Sequence, residues 1–132
     1  MIRTTRLIAA ACLLGVIGAA PAAAQQAAYR RVGSNEVLDG YVKDGERIET
    51  QAHVWSEARG VFLNFNRASA RLPFRLDLAD VEPALADRLR RECKAETQFH
   101  GGCQATLRGA PSRADGQRIF FVKQIVAIEP GR

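Results

Sequence analysis

The sequence predicts an all-β domain: a five-stranded barrel in Greek-key order, with one short helix between its third and fourth strands. Two observations carry this reading. A period of two runs through residues 47–55, 61–66, 71–78 and 103–108, and a fifth apolar stretch covers 118–128. Between the third and fourth of these, Val81, Leu85, Leu89 and Cys93 recur every fourth residue. A period of two puts one face of a strand on a core, whereas a period near four puts one stripe of a helix there.

In chain order, Ile48, Thr50, Ala52 and Val54 form the apolar face of the first strand, and His53 and Trp55 lie on its other face. A short polar loop closed by Gly60 leads to the second strand, with Val61, Leu63 and Phe65 against Phe62, Asn64 and Asn66, so the two read as a hairpin. Leu72, Phe74, Leu76 and Leu78 mark the third strand. Pro73 lies within it and cannot donate to a ladder, which predicts an edge strand or little pairing there. Pro83 suits the first turn of the helix, and Arg88, Arg90, Arg91 and Lys94 suit its far face and C-terminus. Residues 94–102 read as a polar loop. Cys103, Ala105 and Leu107 then face the core from a fourth strand ending at Gly109, and 110–116 read as a hairpin loop. The fifth strand is too apolar to alternate cleanly, as expected of one covered on both sides or interrupted by a bulge.

The ends of the chain set the domain limits. Residues 1–24 carry Arg3 and Arg6, an apolar run from Leu7 to Ala20, then Pro21 and three alanines, which is the layout of a cleaved secretory signal peptide. Cys12 lies inside that run. Residues 25–46 read as a loose lead-in containing a short helix capped by Ser34, and 47–132 as the folded domain. The whole chain carries 19 basic and 14 acidic residues. Without its first 24 residues it loses two arginines and no acids, leaving 17 against 14, a net charge of +3. Acids and bases are interleaved throughout, a pattern that disfavours nucleic acid as a partner.

Export would place the protein in the periplasm or outside the cell, where the remaining Cys93 and Cys103 form an even pair and a disulfide is the default. Closing so short a loop stabilises a fold by about 2–3 kcal/mol in the chain-entropy model. The alternative is a metal-handling protein that uses Cys93, His100 and Cys103, with His53 as a fourth ligand.

The strand order is that of the OB-fold. Residues 47–128, above all the segment Gly102-Cys103-Gln104-Ala105-Thr106-Leu107-Arg108-Gly109 after the helix, resemble small secreted bacterial OB-fold proteins, a largely uncharacterised periplasmic group. The resemblance implies a binding face on strands 1–3, carrying His53, Trp55, Phe62, Asn64, Arg71 and Arg75. Aromatics beside arginines stack on rings and pair with anions. The expectation is an exported, monomeric, non-catalytic binding module with no cofactor and an exposed Trp55. Its partner would be a protein, an envelope polymer or a small anionic ligand; a single-stranded nucleic-acid binder is the further alternative. No nucleophile motif, carboxylate pair or phosphate-cradling glycine loop stands in the sequence.

Overall fold

The computed structural model describes residues 28–33, 36–37, 41–65, 73–97 and 100–130. In chain order the elements are β1 (Arg30–Arg31), β2 (Ile48–Glu57), β3 (Gly60–Asn64), β4 (Phe74–Asp77), α1 (Pro83–Glu92), β5 (Ala95–Thr97), β6 (His100–Gly101), β7 (Cys103–Ser112) and β8 (Ile119–Pro130). The signal peptide expected over residues 1–24 lies outside the described residues, as does Arg71.

Five strands close a barrel in the order β2-β3-β4-β8-β7, with β7 returning to β2. Every neighbouring pair is antiparallel except β4 and β8, where Arg75 stands opposite Ile119 and Asp77 opposite Phe121 in parallel register. That order, with one parallel pair and a helix between β4 and β7, is the OB-fold. β2 is shared between two partners: its residues 48–54 pair with β7, and 53–57 pair with β3. One strand thereby belongs to both walls of the barrel.

The alternation expected from the sequence is what fills the interior. Ile48, Ala52, Val54, Leu63, Leu76, Leu107 and Phe120 are all buried in one apolar cluster. α1 begins at Pro83 and buries Ala86 and Leu89 at one end of the barrel. Pro83 at the helix start wastes no hydrogen bond, because the first amides have no carbonyl to reach. Cys93 caps the helix and is joined by a disulfide to Cys103, the first residue of β7. At the opposite end the described residues of the 28–46 stretch pack against the start of β2 and the end of β7. Arg30 and Val32 donate their amides to the carbonyls of Arg47 and Glu49, and Gly45 donates to Pro111. Val32, Val37 and Val42 are buried in the core, so this segment is part of the fold and not a loose lead-in.

Pro73 stands just before β4 and outside its ladder, as the expected lack of pairing there has it, while β4 itself is an interior strand and not an edge. Two further expectations are corrected. β7 runs on through Ala110 and Pro111 to Ser112, so the loop to β8 starts three residues later than expected. The polar stretch after α1 contains the small β5–β6 hairpin, and Ser56 of β2 donates its amide to the Cys93 carbonyl beside it. The poor alternation of β8 has a definite cause. Its register on β7 shifts twice, leaving Lys123 and Val126 without opposite residues and turning successive side chains outward. The close approach of the two strands also explains Gly109: a Cβ there would run into the Phe121 carbonyl and the Phe120 ring.

Candidate functional site

Residues in register across a sheet share a face. On the outside of the barrel one such row runs Trp55, Phe62, Arg75 and Ile119, from β2 through β3 and β4 to β8. His53 lies two residues from Trp55 on the same face. The three rings form a stacked series, with His53 and Trp55 centroids 5.8 Å apart and Trp55 and Phe62 5.7 Å apart.

The two ends of this row differ. Trp55 is 3% exposed and His53 4%, and Asn64 is buried as well. The expected exposure of Trp55 is therefore corrected: β2 leaves no open surface there, because Cys93 bonds to Ser56 and Gly102 sits against the Val54 carbonyl and the His53 ring. Gly102 has φ +89° and no room for a Cβ, so the backbone comes up against β2 without a side chain between. The other end is open. Phe62 is half-buried and Arg75 exposed. The Arg59 guanidinium lies 5.8 Å from the Phe62 ring centre, on the two-residue turn between β2 and β3, and the Arg75 Nε and the Phe62 ring both lie close beside Gly60. Arg59 is also paired with Glu57, whereas Arg75 has no ion pair among the described residues. Arg75 and Ile119, with Asp77 beside them, border a cleft of about 360 Å³. Further along β8, Phe121 is 39% exposed.

The loop between β7 and β8 also borders this face. Arg113 is committed to structure: it donates to the Val37 and Val42 carbonyls and lies 5.6 Å from the Phe74 ring centre. Sequence reasoning had no signal for this role, since Arg113 bonds to carbonyls some 70 residues away in sequence.

The sulfurs of Cys93 and Cys103 are bonded to each other, so neither is a thiolate that could bind a metal with His100. Among the described residues no group of three or more His, Cys, Asp or Glu is placed to hold a metal ion.

No family model and no curated protein matches the chain. Among solved structures it is similar to a chain of the Stn1–Ten1 complex of Schizosaccharomyces pombe and to the telomere capping protein Ten1 from the same yeast. Each is 19% identical over 75% of this chain, covering 75% and 80% of the respective chains, with a TM-score of 0.43. So slight a likeness carries no argument about function, and the fold rests on the strand order and register. Both matches are yeast telomere proteins, where small secreted bacterial ones were expected. Nor do these matches bear out the expected signal peptide, periplasmic or secreted location, or envelope-side partners with nucleic acid disfavoured. What stands is an OB-fold module with an aromatic and cationic outer face.

Proposed function

We propose that the chain is a non-catalytic binding module and that the outer face of β3, β4 and β8 takes single-stranded nucleic acid. The observation that supports this most is the half-open Phe62, flanked by Arg59 and by the unpaired Arg75. A base has a flat face to stack on Phe62, and its backbone carries the anionic phosphates that guanidinium groups bind. The short turn at Ala58 and Arg59 leaves the face shallow, which suits an extended strand laid across it. The chain's net charge of +5 favours an anionic partner in the same sense.

Fluorescence anisotropy with a labelled oligothymidylate of about 15 nucleotides, within the usual range for one OB domain, tests the reading. Binding should weaken steeply with salt. Phe62→Ala should cost about 1–3 kcal/mol of affinity, the usual worth of one base stacked on an aromatic ring. Arg75→Ala should lower the salt slope by about 0.7, the share of one phosphate contact on a single strand. No binding at low salt would remove nucleic acid as the ligand, and wild-type binding by both variants in folded form would remove this face as its site.

A further inference from the structure

A second group of cations and an aromatic ring lies around the barrel from Phe62, outside the face described above. The Arg47 guanidinium sits 4.5 Å from the Tyr29 ring centre and that of Arg108 5.5 Å from it. Lys123 joins the group. Its pairing with Asp80 holds the ammonium pKa above the ordinary lysine value, and it bulges from β8 beside Arg108, whose ladder partner is the next residue, Gln124. Arg47 has no ion pair among the described residues, while Arg108 is paired with Glu49 and bonded to Gln124. Four cations, counting Arg31, thus stand against Glu49 and Asp80.

β8 connects the two groups. Ile119, Phe121 and Lys123 point outward in succession while Phe120 and Val122 are buried, and Ile119 is in register with Arg75. Two strand spacings of about 4.8 Å and four residues of about 3.3 Å put Lys123 roughly 16 Å from Phe62. Past Arg108 the surface drops into a groove of about 440 Å³ whose lining includes Arg31, Glu49, Gln51 and Thr106.

We infer that a single strand bound at Phe62 and Arg75 continues over Phe121 to a second contact zone at Lys123, Tyr29 and Arg47. This rests on the nucleic-acid reading and extends it: the zone adds phosphate contacts that only a longer strand reaches. Lys123 continues the outward side of β8, and the bulge there leaves it next to Arg108, whose guanidinium lies over Tyr29.

The test compares oligothymidylates of about 3 nucleotides, too short to reach from Phe62 to Lys123, and of about 15, near the upper end of the site size of one OB domain. Their affinities are measured against salt for the wild type and for Arg47→Gln/Lys123→Gln, with thermal melting to establish that the variant is folded. The expected result is unchanged affinity for the short strand. For the long strand, affinity falls at least tenfold and the salt slope drops by about 1.4, two phosphate contacts at about 0.7 each. Tyr29→Ala should likewise weaken the long strand alone. Equal loss for both lengths would be a general charge effect and would overturn the inference, as would no loss for either. In both cases a defect in Phe62→Ala would leave the first site standing. If the wild type binds neither length, the nucleic-acid reading itself fails, and this one with it.

Discussion

Trp55 and Phe62 differ in consequence although they sit opposite each other in one hairpin and stack on one another. Trp55 is buried on the outer side of a strand, a position that alternation alone marks as solvent-facing. Its substitution is therefore a stability experiment. Trp55→Ala should destabilise the fold by about 3–5 kcal/mol, the range for deleting a large buried aromatic, seen as a lowered urea midpoint. Phe62→Ala, at a half-open ring, should shift that midpoint far less. Were the two variants equally stable, the burial of Trp55 would not hold in solution. Trp55 and Phe62 were legible in the sequence as one face of a hairpin. Which of the two is open was not, because it depends on Gly102 and Cys93, about 30 to 50 residues further on.

The disulfide ties the end of α1 to the start of β7, two elements whose packing the core already secures through Leu89 and Leu107. It acts mainly by restricting the unfolded chain, so Cys93→Ser/Cys103→Ser should lose about 2–3 kcal/mol in chemical denaturation while keeping its far-ultraviolet circular dichroism. A variant that failed to fold would mean that the pair also organises the hairpin between them. At the opposite end β1 is tied down by charge. Arg30 bonds to both Glu46 and Glu36, which raises its pKa. The Glu46 carboxyl accepts from the Lys43 amide and from Arg30, and both hold its pKa below the usual carboxylate value. A carboxyl depressed in the folded state contributes stability above the unfolded carboxylate range, and that contribution is lost as pH falls through the folded value. Glu46→Gln should accordingly narrow the stability difference between neutral and acid pH, measured by thermal melting across that interval. An unchanged acid limb would show that β1 is held by its backbone bonds alone.

At the scale of the whole molecule, the five alternating or apolar segments and the helix between the third and fourth were enough to name the barrel, since the interior of a small closed sheet accepts one apolar residue in two from each strand. The sequence by itself determined the element order, the inward residues, the helix stripe and the pairing of the two cysteines, all of which are local or depend on short separations. It left alternatives open where pairing is non-local. β4 became interior because β8 pairs with it in parallel, and β8 took its bulges from its register on β7. The lead-in is structural because its valines complete a core whose other members lie up to 93 residues away. Only the tertiary structure decided which part of the aromatic row is open and where Tyr29, Arg47 and Lys123 meet. Those outcomes depend on which surfaces the closing of the barrel brings together, and no periodicity along the chain records that.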